Sequence, residues 1–168
     1  DHNATVHAVI DWLEDHMPQD DGVVSIVHGD YRMDNMIFAK DRSDVIAVLD
    51  WELSTLGHPL ADLAYQCMQW RLPHDSGMRG LGGLDRAALG IPTEEQYVAR
   101  YCQRRGIDAI PDWPFYIAFC FFKLTGILQG VYKRALDGNA SNPKRAKEMA
   151  HAIPLLAEAA MAEIKRSG

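Results

Sequence analysis

The fold is decided by His28-Gly29-Asp30-Tyr31-Arg32-Met33-Asp34-Asn35, together with Val48-Leu49-Asp50-Trp51-Glu52, whose Asp50 follows Asn35 by fifteen residues. Short β-branched runs flank both pieces: residues 23–27 precede the first, 36–39 follow it, and 45–49 lead into Asp50. Runs of this length, separated by polar turns such as residues 40–44, predict three short strands. The turn between the first two strands then presents Asp30 and Asn35, and the end of the third presents Asp50. By composition alone, His, Asp and Asn fall at this spacing about 0.016 times per chain. Chance is a poor explanation.

The order His-x-Asp-x-x-x-x-Asn, with a further Asp after a β run, is that of a kinase catalytic loop. Transfer of a γ-phosphoryl group needs an acceptor hydroxyl aimed in line and cations to neutralise the phosphate oxygens, with little covalent help. On that pattern Asp30 accepts or orients the hydroxyl proton. Asn35 and Asp50 offer the hard oxygen donors that Mg²⁺ prefers. Residues 28–35 and the run 48–64, Val-Leu-Asp-Trp-Glu-Leu-Ser-Thr-Leu-Gly-His-Pro-Leu-Ala-Asp-Leu-Ala, resemble the aminoglycoside phosphotransferase (kinase-like) family. The second run is most similar to the kinase-like domains fused to some acyl-CoA dehydrogenases. The resemblance implies that Asp30 is the catalytic aspartate, with Asn35 and Asp50 as metal ligands. It further implies that His28 packs beneath the catalytic loop and that Asp62 anchors that loop from a helix start. Mg²⁺ and ATP, as co-substrate, are implied with them.

Two residues depart from the protein-kinase pattern. Trp51-Glu52 follows Asp50 where those enzymes carry Phe-Gly, which argues against their regulatory flip. Arg32 stands where many of them carry Lys, and a cation there can stabilise the transferring phosphoryl group. A larger departure concerns the nucleotide clamp. Only 27 residues precede His28, with no G-x-G-x-x-G and no Lys-bearing V-A-I-K strand among them. The expectation is a single kinase-like C-terminal lobe over residues 1–168, lacking the small nucleotide-binding lobe and turning over little by itself.

The rest of the chain predicts helices. Apolar spacing at Val6, Val9, Ile10, Leu13 and Met17 marks one over residues 4–17, stopped at Pro18. Another covers residues 60–70, with Asp62 in its first turn, where a carboxylate suits the helix dipole. Residues 71–90, rich in Gly, read as a long loop. Thr93 and Gln96 form a capping box for a helix to about Arg105. Pro111 and Pro114 introduce a long apolar helix through about Leu136. Ser141-Asn142-Pro143, an N-cap followed by proline at the first helical position, starts the last helix, which Pro154 should kink. One helix, a few strands and then helices alone make the class α+β, mostly α: the large lobe of a kinase-like fold.

Composition excludes several functions. With 17 Lys and Arg against 23 Asp and Glu, the net charge of −6 is wrong for a general nucleic-acid binder. Cys67, Cys102 and Cys120 are too scattered for a disulfide framework or a CxxC metal pair, and they suggest buried thiols in a reducing, cytoplasmic setting. Residues 113–132 are apolar, but Lys123, Thr125, Gln129 and two glycines favour a core helix over a membrane span. The expected partner is a small molecule with a hydroxyl group, aminoglycoside-like or hydroxyacyl-CoA-like. Self-association through an exposed lobe face is the other expectation. A kinase-like binding or scaffold module without transfer is the alternative function. A Mg²⁺-dependent hydrolase suits the carboxylates but leaves the loop spacing unexplained.

Overall fold

The computed structural model describes residues 4–75, 80–140 and 142–167. Helix α1 (Ala4–Asp15) leads into four short strands, β1 (Ser25–Val27), β2 (Met36–Phe38), β3 (Val45–Val48) and β4 (Thr55–Gly57). Five helices follow: α2 (Leu60–Cys67), α3 (Glu94–Arg105), α4 (Trp113–Leu136), α5 (Pro143–Ala150) and α6 (Ala152–Ser167). The strands make two antiparallel pairs, β1 with β4 and β2 with β3. The class is the α+β, mostly α arrangement expected from the element order.

Several boundaries differ from the sequence expectation, each for a physical reason. Helix α1 ends at Asp15 rather than residue 17, because the residue before Pro18 is pushed out of the helical region. The helix expected over residues 60–70 is α-helical only to Cys67 and tightens into a 3-10 turn at Met68–Trp70. Strand β1 covers only the end of the run 23–27, where β4 pairs with it. Strand β4 carries no local β signal and exists through long-range pairing, with Ile26 opposite Leu56. The final helix does not merely kink at Pro154. It breaks at His151 into α5 and α6, since the ring of Pro154 crowds the carbonyl four residues earlier, at Ala150.

Helix α4 is the spine of the core. Its buried face carries Ile117, Ala118, Cys120, Phe121, Leu124 and Leu128, and it packs against α1, α2, α5 and α6. Val9 and Leu13 of α1, Leu63 and Ala64 of α2, and Leu156 and Ala160 of α6 complete the same cluster. By length and composition α4 would suffice to cross a membrane, yet one face of it is covered by the other helices, while Phe119 and Ile127 on its other side are exposed. This packing holds the N-terminal end of α2 and the middle of α4 beneath the loop that carries Asp30.

Candidate active site

The loop between β1 and β2 is fixed from below by one carboxylate. Asp62, in the first turn of α2, accepts the backbone N–H of His28 at 2.6 Å and that of Gly29 at 2.9 Å. Gly29 has φ +84°, and a Cβ there would lie 2.5 Å from the Leu53 carbonyl oxygen, so only glycine fits. His28 is buried. Its Nε2 donates to the Leu49 carbonyl at 2.8 Å, and its Nδ1 accepts the Asp30 N–H at 3.2 Å. The Trp51 ring lies 4.7 Å from the imidazole, and its indole N–H donates to the Val48 carbonyl at 2.8 Å. His28 therefore joins the Asp30 loop to the strand end that leads into Asp50.

Asn35 ends a 3-10 turn, Met33–Asn35, that folds the loop back on itself. Its amide nitrogen donates to the Asp30 backbone carbonyl and to Asp30 Oδ2, both at 2.9 Å. The Leu49 N–H donates to the Asn35 carbonyl at 2.8 Å, extending the β2–β3 ladder in which Met36 faces Val48. Asp50 is the next residue, in the left-handed region at φ 66° and ψ 53°. Asp30, Asn35 and Asp50 thus lie on two adjoining loop ends. Neither the Asp50 carboxylate nor the Asn35 amide oxygen has a protein partner among the described residues, so both are available as hard donors. The described residues contain no group of three or more His, Cys, Asp or Glu side chains suited to a metal. A Mg²⁺ ion fits this donor set only if phosphate oxygens and water complete its shell, which is how Mg²⁺ is usually held beside nucleotides.

Arg32 is half-exposed. Its Nη2 lies 3.1 Å from Asp34 and its Nε 3.9 Å from Asp30 Oδ2, which places one cation beside the Asp30 carboxylate. Two further residues belong to this neighbourhood and were not singled out from the sequence. Tyr65 of α2 is buried; burial first, then hydrogen bonding to Asp30 and the negative charge of that carboxylate, push its phenol above the ordinary range. Lys123 of α4 donates from Nζ to the Gly29 carbonyl at 2.6 Å and lies 5.4 Å from the centre of the Tyr65 ring. The signal for Lys123 was present, as the single charge within the apolar stretch 113–132. Tyr65 gave no signal apart from an ordinary core aromatic.

Comparison with known proteins supplies the rest. The model of the phosphotransferase enzyme family, APH, matches residues 1–116. Acyl-CoA dehydrogenase family member 10 of Mus musculus is 50% identical over 135 residues, 80% of this chain and 12% of that protein. Acyl-CoA dehydrogenase family member 11 of Gallus gallus is 42% identical over 158 residues, 92% of this chain and 20% of that protein. The chain therefore spans a fifth or less of these relatives. A crystal structure of a protein assigned as an aminoglycoside phosphotransferase from Ralstonia eutropha superposes with a TM-score of 0.91 at 46% identity, over 99% of this chain and 50% of that one. With its strands, loop and helices matched in that structure and most of its length in the family model, the chain belongs to the phosphotransferase enzyme family and has its kinase-like fold.

Proposed function

We propose that this chain supplies the catalytic loop, the metal ligands and the acceptor side of an ATP- and Mg²⁺-dependent O-phosphotransferase acting on a small-molecule alcohol. The observation that carries this reading is the pair of hydrogen bonds from the Asn35 amide to Asp30, on a loop tied to the strand end that bears Asp50. Asn35 holds one oxygen of Asp30 and leaves the other to face a hydroxyl group. Asp30 takes the proton of the acceptor hydroxyl as the acceptor's own oxygen bonds the γ-phosphorus and the bond to ADP breaks. Asn35 and Asp50 would hold the metal, which when bound would neutralise charge on the phosphate oxygens. Arg32, released from Asp34, adds a cation to the transferring group. His28 and Asp62 touch no substrate and keep the loop in register.

For the acceptor, the acyl-CoA dehydrogenase names of the relatives favour a hydroxyacyl-CoA over an aminoglycoside. The test uses the full-length protein with Mg-ATP and two acceptor arms, hydroxyacyl-CoA esters and aminoglycosides, read by mass spectrometry for a phosphorylated product. Transfer to one arm is expected, falling at least about 100-fold in Asp30→Ala with ATP affinity within twofold of wild type. Wild-type rates in that variant overturn the assignment of Asp30. ATP binding without transfer to any acceptor would favour a non-catalytic binding module instead.

A further inference from the structure

We propose that Lys123 is a positioning residue for Asp30: from the core helix α4 its ammonium fixes the peptide plane that aims the Asp30 carboxylate. This rests on the reading of Asp30 as the group that takes the acceptor proton. The peptide joining Gly29 to Asp30 has two polar ends. Its N–H is held by His28 Nδ1 at 3.2 Å, a long bond, and its C=O by Lys123 Nζ at 2.6 Å, a short and charge-assisted one. Gly29, with φ +84° and no side chain, adds no rotational restraint of its own. Without Lys123 the plane is held at its N–H end by one long hydrogen bond alone, and its turning shifts the Asp30 Cα and disturbs the hydrogen bonds by which Asn35 holds the Asp30 carbonyl and carboxylate.

The setting of the lysine supports a specific role. It is partly buried and makes no ion pair among the described residues; its contacts are the Gly29 carbonyl and the face of Tyr65. Drawing an ammonium out of water without a counter-ion is costly, and an apolar residue would fill this place on α4 without that cost. The charge is directed at one carbonyl, in the residue before Asp30. Tyr65 lies beside both groups: its ring sits under the Lys123 ammonium, and its phenol is near enough to Asp30 for that carboxylate to raise its pKa. The core helix is thereby joined to the residue before the reactive carboxylate, 94 residues away in sequence.

The experiment compares wild type, Lys123→Met, Lys123→Arg and Asp30→Asn in the full-length protein. Mg²⁺-dependent ATP turnover is measured with water as acceptor, alongside hydrogen exchange of the amides of residues 28–35. Met keeps the stem and removes the charge; Arg restores a charged donor. Lys123→Met is expected to lower kcat at least tenfold with KM for ATP within twofold, and to raise exchange in residues 28–35. Lys123→Arg is expected to recover at least half of the lost rate and protection. Wild-type kcat in Lys123→Met, a loss carried by KM, or no recovery with Arg overturns the proposal. Unchanged exchange in Lys123→Met overturns it independently of turnover. Wild-type turnover in Asp30→Asn instead overturns the reading of Asp30 beneath it, whatever the lysine variants do.

Discussion

Asp50 occupies a backbone conformation that an L residue adopts at a cost of about 1–2 kcal/mol. Aspartate is among the few side chains that tolerate it, and no protein partner of its carboxylate offsets that cost among the described residues. Such a position is most simply kept for what the carboxylate does with something outside the chain. Asp50→Gly separates the two effects. Glycine relieves the left-handed penalty and gives back about 0.5–1 kcal/mol through its freedom in the unfolded chain. Stability in urea is therefore expected to stay level or rise by up to about 1 kcal/mol while phosphoryl transfer is lost. A large loss of stability would make Asp50 a structural turn residue. At this scale the sequence was legible where chemistry dictates spacing: His28, Asp30, Asn35 and Asp62 are joined by the hydrogen bonds of one loop. Lys123 stood out as the one charge in an apolar stretch, but its place at the loop did not, because its partner is a backbone carbonyl, which no side-chain pattern can reveal.

Between elements, a half-hidden charge cluster ties the end of α2 to α3 and α6. Arg71, just past the 3-10 turn, pairs with Glu94 in the first turn of α3, and its Nε lies 2.7 Å from Glu163 of α6. Arg166 lies 2.6 Å from the same Glu163 oxygen, and Trp113 donates to Glu94 at 2.7 Å. Glu163 is only 4% exposed, so removing its inner partner leaves a desolvated carboxylate with, among the described residues, only the solvent-facing Arg166 to neutralise it. Arg71→Met is expected to destabilise the fold by about 3–5 kcal/mol in urea unfolding, and Arg166→Met by less, since that guanidinium is in water. Equal effects would show that the cluster is not organised around Arg71. Local signals gave α3 well, because its capping box, Thr93 with Gln96, and its stop at Gly106 are contained in the sequence. They missed β4, whose pairing with β1 is long-range, and they placed the disturbance from Pro154 at the proline rather than one turn earlier.

At the scale of the whole molecule, the strands present an apolar surface that the helices leave uncovered. Ile26 and Leu56, cross-strand partners on one face, are 68% and 73% exposed. Val24 and Ile46 are exposed as well. A surface of this kind seeks a cover. The isolated 168-residue chain is expected to self-associate, its weight-average mass in sedimentation rising above 18.8 kDa with concentration and returning to monomer in Ile26→Lys with Leu56→Lys. A monomer at all concentrations would show that the face is tolerated bare. The core has its own signature in alkali. Burial first pushes the Cys67 and Cys120 thiols up to about 12. In the unfolded chain they ionise near their ordinary value of 9.0. The folded state thus holds more protons between those limits, so stability falls as pH rises from about 9 to about 12. Stability flat across that range would contradict the burial of these thiols.

The fold class was legible in the order of strands and helices. The meeting of Asn35 and Asp50 at one metal beside Asp30 is the claim on which the function depends. It is tested most directly by binding of Mn²⁺ to the full-length protein in the presence of ADP, followed by electron paramagnetic resonance. Asp50→Asn and Asn35→Ala are each expected to weaken the nucleotide-dependent Mn²⁺ site by at least about tenfold, with Arg166→Met unchanged. Mn²⁺ bound equally well by wild type and both loop variants would contradict a metal centre at these residues.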